Sequence, residues 1–303
     1  MKILLTGTSG YVGSRLAPRL LAAGHEVRGF SRRGLGPPGI RTFTGDAVTG
    51  AGLADALGGV DVAYYLIHSM EPSTDGVFGE RERRSAASFA EAAGDAGVAR
   101  IVYLGGLLPA RGPASPHLSS RMAVEGILRG AVPDTVVLRA SIVIGAGSRS
   151  FRFLVRLIER LRVLAVPAWH RHRTAPIDER DVVELLARAG ESELAAGETF
   201  DIGGPDVVSY GELIDRIRDH MLVDRATLSF KRLSATPIAS RVAAVVAGES
   251  YELIGPLMES LDEDLIPRDR RGAELLDVRE HSLDSAIEHA LREWEAHEPL
   301  AAR

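Results

Sequence analysis

Three glycines near the amino end are spaced for binding a phosphate-bearing ligand. They lie in the segment Thr6-Gly7-Thr8-Ser9-Gly10-Tyr11-Val12-Gly13, where an apolar run meets an amphipathic stretch. At such a joint Gly7 allows a tight turn, Gly10 lets the backbone approach a pyrophosphate, and Gly13 lets the helix pack closely on the sheet. The free N–H groups and dipole at the start of the following helix favour negative charge. The spacing predicts a dinucleotide site, and the alternative is an ordinary glycine-rich turn.

The end of the second predicted strand indicates which dinucleotide is preferred. A site for NAD carries Asp or Glu there to bind the adenosine ribose, whereas this chain reads Phe30-Ser31-Arg32-Arg33, and the strand has no carboxylate after Glu26 at its start. Two guanidinium groups can meet a 2′-phosphate, which predicts NADP(H) over NAD(H). Because nearly all basic residues of the chain are arginines, solvated surface arginines are the alternative. Asp46, directly after the third predicted strand, is expected to contact the adenine amino group.

The elements that position these residues follow from the alternation of short apolar runs with amphipathic stretches, which is typical of a parallel sheet. Strands are predicted at residues 2–6, 26–31, 40–44, 60–67, 100–104 and 135–144. Helices are predicted between them at residues 11–23, 53–57, 80–96 and 117–129. A glycine follows each helix where a left-handed cap residue is favoured, namely Gly24, Gly58, Gly97 and Gly130.

After Gly145 the alternation weakens. Helices are predicted at residues 151–161 and 178–189, a strand at 199–202, a helix capped by Ser209 and running to Met221, and a terminal amphipathic helix at 283–294. The predicted fold is α/β, a Rossmann doubly wound parallel sheet with a smaller C-terminal mixed substrate lobe. Residues 1–145 would form the NADP(H)-binding domain, with 174–205 returning to the sheet, and residues 146–173 and 206–303 would form the smaller lobe.

Composition limits the class of protein. The 303 residues are 45% hydrophobic and 25% charged, with a net charge of −5, as in an ordinary globular enzyme, so nucleic acid is not expected as a partner. The absence of cysteine excludes disulfides and thiolate chemistry. No apolar run approaches the ~18 residues that span a bilayer, and the first residues do not read as a signal peptide. We therefore expect a cytoplasmic protein, without membrane partners, that acts on a small molecule as a monomer or homodimer.

Further motifs match a known superfamily. Besides the glycine segment they include Tyr65-Leu66-Ile67-His68-Ser69, Tyr103-Leu104-Gly105-Gly106, Leu138-Arg139-Ala140-Ser141, Pro176-Ile177 with Asp181, and Phe200-Asp201-Ile202-Gly203-Gly204-Pro205. With these residues the chain resembles the extended and atypical short-chain dehydrogenase/reductases, most closely the NmrA-like branch, over about two thirds of its length. The resemblance implies that the cofactor is held by Gly7, Thr8, Gly10, Tyr11, Val12, Gly13, Arg32, Arg33, Asp46, Leu66, His68, Gly105 and Arg121.

The same resemblance exposes a difference in the catalytic residues. Standard members use a Ser and a Tyr-x-x-x-Lys pair, whereas the corresponding helix reads His117-x-x-x-Arg121 and the serine aligns with Gly105-Gly106. His117, whose ordinary pKa would lie near 6.5, can donate a proton to a forming alkoxide or enolate. Alternatively, it caps the helix after Pro116 and merely contacts cofactor or solvent. Arg121 can hold the nicotinamide ribose or stabilise negative charge, but it cannot transfer protons.

Other candidate residues have simpler interpretations. His68 faces the expected cofactor edge, although packing is the more common role for such a histidine, and Tyr65 and Tyr103 are expected in the core. The stretch Trp169-His170-Arg171-His172-Arg173 either binds an acidic or aromatic substrate or, as we favour, is a solvated charged face. The nine histidines show no metal-ligand spacing with acidic partners, so no metal is proposed.

These observations favour an NADP(H)-dependent reductase that acts on a small, largely apolar carbonyl or enone compound without the standard Ser-Tyr-Lys triad. Two alternatives use the same fold. The first is a non-catalytic regulatory protein that senses NADP(H), and the second is a non-redox isomerase.

Overall fold

A parallel sheet of seven strands forms the centre of the molecule. The computed structural model describes residues 1–67, 78–110, 115–161, 163–166, 168–229 and 261–300. The sheet contains β1 (Lys2–Thr6), β2 (Glu26–Ser31), β3 (Arg41–Thr44), β4 (Val62–Tyr65), β5 (Arg100–Gly106), β6 (Thr135–Ala140) and β11 (Thr199–Ile202). Their order across the sheet is β11-β6-β5-β4-β1-β2-β3. The predicted α/β fold and doubly wound sheet are confirmed.

Helices cover both faces of this sheet because successive side chains of a strand point to opposite sides. In β1, Ile3 and Leu5 pack into the core beneath α1 (Tyr11–Ala22) and α6 (Glu179–Glu191). Leu4 packs into the core on the other face. That face is covered by three helices, α2 (Leu53–Leu57), α3 (Phe78–Asp95) and α4 (Pro116–Ala131). The predicted helices of the first half are therefore confirmed, with bounds that differ by two residues or fewer.

Two of the four predicted glycine caps are wrong. Gly24 and Gly97 have the expected left-handed backbone, with φ of +82° and +67°. Gly58 instead has φ of −55°, and the left-handed residue is the next one, Gly59, with φ of +68°. Gly130 lies inside α4, which ends only at Ala131. A glycine near a helix end therefore did not by itself fix where the helix stops.

The predicted strand 135–144 is divided in two. The chain leaves the central sheet after Ala140, and β7 (Val143–Ile144) pairs in parallel with β10 (Ile177–Asp178) in a separate two-stranded sheet. Strand β4 is also shorter than the predicted 60–67. Strand β11, at Thr199–Ile202, lies in the central sheet beside β6, as expected.

The remaining elements form a mixed α/β part. Its helices are α5 (Arg149–Arg160), α7 (Tyr210–His220), α8 (Arg271–Leu275) and α9 (Leu283–Glu295), with 3-10 turns at Ala168–Arg171 and Glu193–Ala195. Its short strands form two further pairs, β8 (Val163–Val166) with β13 (Ala226–Ser229) and β9 (Arg173–Thr174) with β12 (Val208–Ser209). As predicted, the Ser209 hydroxyl caps α7 by accepting a hydrogen bond from the Glu212 N–H. Residues of α5, α7 and α9 share one hydrophobic core, whereas the proposed domain boundaries stay a prediction.

The topology places a crevice at the carboxyl end of β1. Strand order reverses there, because β2 lies on one side of β1 and β4 on the other, and ligands bind at such switch points in open α/β sheets. The Thr6 hydroxyl joins β1 to β4 by donating to the Tyr64 carbonyl at 2.9 Å and accepting from the Leu66 N–H at 3.0 Å.

Within the described residues, no helix is both long enough and apolar enough to cross a membrane.

Candidate functional site

The glycine segment forms a tight cradle between β1 and α1. Gly7 has φ of +68°, and a Cβ added to it would lie 2.7 Å from the Leu66 carbonyl oxygen. A Cβ on Gly13 would lie 2.3 Å from the Gly7 oxygen, whereas one on Gly10 would meet that oxygen at 3.0 Å. Gly13 therefore lets α1 press against the β1–α1 loop, which is the close packing that the sequence predicted.

The start of α1 is prepared for an anion. Its N-cap, Gly10, has no side chain to cap the helix, and its first turn contains no acidic residue. The N–H groups of Tyr11, Val12 and Gly13 have no carbonyl one turn earlier within the helix, and these residues line a cavity of about 740 Å³. A pyrophosphate fits this cradle because the backbone donors, the helix dipole and the absence of Cβ atoms all favour it.

Thr8 is placed differently from its neighbours. It is fully buried and is not part of the cavity wall. Its methyl group faces β2, where a Cβ added to Gly29 would lie 3.1 Å from Thr8 Cγ2. The side chain of Thr8 therefore packs between the β1–α1 loop and β2. The residues of the segment that line the cavity include Gly7, Gly10, Tyr11, Val12 and Gly13.

Two arginines stand at the end of the cavity next to β2. Arg32 and Arg33 are exposed and belong to its wall. Asp46 also lines this end, and its Oδ1 accepts a hydrogen bond from the Val48 N–H at 2.8 Å, which fixes the turn after β3. Glu26 lies at the opposite end of β2, where Arg28 donates to it at 3.0 Å. No carboxylate of β2 therefore reaches the nucleotide end of the strand.

The middle of the cavity is formed by the ends of β4 and β5. Leu66 and Gly105, which the sequence predicts to hold the cofactor, line it. His68 lies outside the described residues, so its predicted role has no structural account here. Arg81 of α3 also lines the cavity, and no motif in the sequence pointed to it.

His117 and Arg121 both line the cavity from α4. The helix cap is not His117 but Ser115, whose hydroxyl accepts a hydrogen bond from the Leu118 N–H at 3.3 Å, so the expected capping role of His117 is wrong, whereas its role at the cofactor stays a prediction. Burial, and then the charge of Arg121, lower the pKa of His117 to about 4. At neutral pH the imidazole is therefore uncharged, with about one molecule in a thousand protonated. The expected pKa near 6.5 does not hold in this environment.

Arg121 is held in a buried polar network. Its Nη1 lies 3.4 Å from Glu82 Oε1, and both side chains are more than nine-tenths buried. The Ser120 hydroxyl donates to the other oxygen of Glu82 at 2.6 Å, and Tyr103 donates to the Arg121 carbonyl at 3.4 Å. Tyr65 and Tyr103 are buried as expected, and burial raises the pKa of the Tyr65 phenol far above its usual range and that of Tyr103 to about 12. Neither phenol is suited to exchange a proton near neutrality.

The far part of the same cavity is mostly apolar, and we call it the chamber. The residues that line it come from the segment after β6, from α5, β9 and α7, and from the segments around Trp169 and Leu261: Ser141, Ile142, Phe153, Leu154, Trp169, Thr174, Tyr210, Leu261 and Leu265. The hydroxyls of Ser141 and Thr174 are 2.9 Å apart. Apart from Ser141, which stands in a superfamily motif, and Trp169, the sequence gives no signal for these residues, because they come from separate segments and share no motif.

The basic stretch beginning at Trp169 divides between two environments. Trp169 is buried and lines the chamber, with its ring edge-on to Tyr210 at 6.2 Å. Arg171 and Arg173 are exposed, and Arg173 donates two hydrogen bonds to Asp264, at 3.0 and 3.1 Å. His172 Nδ1 lies 3.6 Å from the same carboxylate. The solvated face that we favoured describes the arginines but not Trp169.

A further charged group lies beside the nucleotide helix. Oxygen and nitrogen atoms of Glu179, His289 and Glu293 lie within 4.8 Å of one another, although no metal-ligand spacing was expected among the histidines. His289 and Glu293 are four residues apart on α9 and so share a helix face, a signal that the sequence contained. Arg15 of α1 contacts both carboxylates. The guanidinium thus supplies the positive charge that binds the two acids together.

Burial, followed by the charge of Glu293, raises the pKa of Glu179 well above its usual range. The pKa of His289 is lowered, mainly by burial. The group therefore joins α1 to α6 and α9 through the charged Arg15. The pKa shifts of Glu179 and His289 both favour their neutral forms.

Two curated proteins match parts of the sequence. A 3-beta-hydroxysteroid dehydrogenase from Mycolicibacterium neoaurum is 32% identical over 113 residues, which cover 34% of this chain and 31% of that protein. A ceramide reductase from Caulobacter vibrioides is 27% identical over 189 residues, which cover 61% of this chain and 59% of that protein. The chain thus spans less than two thirds of the length of either relative.

Solved structures share the fold over nearly the whole chain. A short-chain dehydrogenase/reductase superfamily protein from Agrobacterium tumefaciens with bound NAD has a TM-score of 0.71 and 20% identity, and covers 98% of this chain and 96% of its own. UDP-glucose 4-epimerase from Thermotoga maritima, solved with UDP-glucose, has a TM-score of 0.74 and 14% identity, and covers 98% and 99%. The narrower resemblance to the NmrA-like branch stays a prediction. The sequence profile of one family matches residues 3–203, and the chain accordingly belongs to the NAD dependent epimerase/dehydratase family, within the short-chain dehydrogenase/reductase superfamily.

Proposed function

We propose that the protein is an NADP(H)-dependent oxidoreductase that reduces a carbonyl or enone group of a small, largely apolar molecule. The observation that carries this proposal is a single cavity of about 740 Å³ that joins the glycine cradle and the two arginines to the chamber. A dinucleotide in the cradle and a substrate in the chamber would therefore share one cavity.

The charges around the cavity support the phosphorylated cofactor. Among the described residues of its wall, five are arginines and one is a carboxylate, Asp46; the arginines are Arg32, Arg33, Arg81, Arg121 and Arg149. A 2′-phosphate adds negative charge where Arg32 and Arg33 are exposed, and a charge-assisted hydrogen bond contributes about 1.5–3 kcal/mol. We therefore expect at least a tenfold preference for NADPH over NADH.

The walls of the chamber support an apolar substrate over a sugar nucleotide. A diphosphate needs cationic partners, and Arg149 is the one charged residue among those described in the wall beyond His117 and Arg121. Arg173, which lies near this end, is engaged by Asp264. Steroid and ceramide, the molecules in the names of the two curated relatives, are both mainly apolar and bear oxygen groups.

When bound, the cofactor supplies hydride to the carbonyl carbon, and the protein must bring a proton to the oxygen. His117 contacts this space as a neutral imidazole, and its N–H can hydrogen-bond the oxygen on which negative charge develops. Arg121 adds a fixed positive charge that stabilises the same charge, although Glu82 offsets part of it. The proton on oxygen is then supplied through His117 or from water.

One observation favours a second candidate, a non-catalytic protein that senses NADP(H). The chain has no Tyr-x-x-x-Lys pair, and the low pKa of His117 leaves little imidazolium to serve as an acid near neutrality. In that case the nucleotide would bind without turnover.

Turnover assays separate the two candidates. Purified protein is mixed with NADPH and a panel of apolar ketones, enones and quinones, and the loss of NADPH absorbance is measured, with UDP-glucose as a comparison substrate. Reduction of at least one apolar carbonyl compound, slowed by His117→Ala, supports the reductase. Tight NADPH binding without consumption across the panel would favour the sensor. Turnover of UDP-glucose alone would contradict the proposed substrate class.

A further inference from the structure

A row of polar side chains crosses the otherwise apolar chamber. The hydroxyls of Ser141 and Thr174 are 2.9 Å apart, and Thr174 interacts in turn with the phenol of Tyr210. All three residues are more than nine-tenths buried and line the cavity. These contacts satisfy the need of buried hydroxyl groups for hydrogen bonds, and because a hydroxyl oxygen has two acceptor sites, the row retains capacity to bind a ligand in the cavity.

Trp169 gives a second, independent indication of a ligand. Its side chain is 5% exposed and lines the chamber, yet its indole Nε1 has no hydrogen-bond partner among the described residues. A buried donor left without an acceptor costs about 1–3 kcal/mol. Because indole nitrogen can only donate, the missing partner must be an acceptor atom, such as a carbonyl or hydroxyl oxygen.

The surroundings limit what that partner can be. Phe153 and Leu154 of α5, together with Leu261 and Leu265, form apolar walls beside the polar row. Burial raises the pKa of Tyr210 to about 12, so its phenol stays neutral and offers no charge to an ionic ligand. The combination suits an uncharged hydrocarbon body that carries oxygen atoms at one end.

We propose that Trp169, Tyr210, Thr174 and Ser141 form an oxygen-binding subsite that selects uncharged, hydroxyl- or keto-bearing apolar substrates. In this subsite Trp169 Nε1–H donates to a substrate oxygen, and the hydroxyl row exchanges hydrogen bonds with the same oxygen or a neighbouring one. The proposal rests on the proposed function, because it names the substrate class of the same cavity. These four residues bind the substrate, and none of them is assigned a role in proton transfer.

Trp169 allows binding to be measured without turnover. The chain contains two tryptophans, and Trp294 packs in the core beside Arg152, 4.1 Å from its ring. In a Trp294→Phe variant, whose folding is checked by circular dichroism, Trp169 is the sole indole fluorophore. Titration with testosterone, 2-decalone and a long-chain methyl ketone should give a saturable change with at least one probe. UDP-glucose should give none.

Substitutions then test the polar contacts by calorimetry with the best probe. Trp169→Phe and Thr174→Val preserve shape but remove a donor or a hydroxyl, and each should weaken binding about fivefold. The matched control is Tyr64→Phe, which removes a buried phenol outside the chamber and should leave affinity unchanged. No saturable signal with any of the three ketones, or equal affinities in all variants, would overturn the subsite.

The two proposals fail in different ways. If the ketones bind and the substitutions lower their affinity, the subsite is supported. If NADPH does not bind in the same experiments, the proposed oxidoreductase function fails. If NADPH reduces an apolar ketone while Trp169→Phe and Thr174→Val leave both KM and kcat unchanged, the function stands and the subsite is wrong.

Discussion

The guanidinium of Arg121 lies 3.4 Å from the carboxylate of Glu82, and both groups are buried between α3 and α4. Arg121 stands four residues after His117, at the position where related enzymes carry lysine. Because the ion pair with Glu82 fixes the position of the guanidinium, Arg121 presents a positive charge at a defined place in the cavity that it lines. The pair thus connects the packing of two helices to the geometry of the candidate site.

Glu82→Gln should destabilise the protein by about 3 kcal/mol, because it leaves the buried Arg121 charge without its partner. Urea unfolding measures this loss. Glu80→Gln, in the same helix, removes an exposed carboxylate that pairs with Arg83 and should change stability by less than about 0.5 kcal/mol. Equal effects of the two substitutions would mean that the Arg121–Glu82 pair carries no structural weight.

His117 should remain neutral throughout the physiological range, since burial and Arg121 lower its pKa to about 4. NMR titration of the imidazole signals, with His117→Gln used for assignment, measures this directly. The His117 signal should not shift between about pH 5.5 and pH 8. The kcat/KM profile of any reductase activity should likewise lack an inflection from this residue. A His117 titration centred near pH 6.5 would contradict the buried environment described here.

Gly13→Ala should abolish tight nucleotide binding, because its Cβ would lie 2.3 Å from the Gly7 carbonyl oxygen and would push α1 away from the loop. Gly126→Ala is the matched control: it lies inside α4 with no atom within 4 Å of an added Cβ. That change should stabilise the helix by about 1 kcal/mol or leave it unaffected. Nucleotide titrations and thermal unfolding of both variants test the contrast. Wild-type affinity in Gly13→Ala would show that the cradle tolerates a side chain.

Local patterns in the sequence predicted the strands of the sheet well, and the residues predicted to hold a cofactor stay a prediction. The glycine segment and Arg32-Arg33 could be found because a turn, a helix start and a strand end are short-range features. The pKa of His117 could not, since it depends on burial by distant residues. The chamber is assembled from the segment after β6 and from β9, α5 and α7, and the contact of Glu179 with His289 spans more than a hundred residues. Such long-range arrangements carry no local signature.

The charged group around Glu179 predicts a pH dependence of stability. Its pKa is raised on folding to about 8, by burial and by Glu293, so the resulting stabilisation is fully present below the unfolded pKa of about 4.3 and is lost as pH rises through the folded pKa. The free energy of unfolding should therefore fall between about pH 5 and pH 8 more steeply in the wild type than in Glu179→Gln. Urea unfolding across this range measures both slopes. Parallel slopes would indicate that Glu179 is charged throughout.

The central claim is that a dinucleotide lies over the amino end of α1 with a 2′-phosphate at Arg32 and Arg33. Isothermal titration calorimetry with NADPH and NADH tests it most directly, using the wild type, Arg32→Ala/Arg33→Ala and the control Arg41→Ala, an exposed arginine at the opposite end of the sheet. We predict at least tenfold tighter binding of NADPH than of NADH in the wild type and in Arg41→Ala, and near-equal affinities in the double variant. No binding of either nucleotide by folded wild-type protein, or an unchanged preference in the double variant, would contradict the claim.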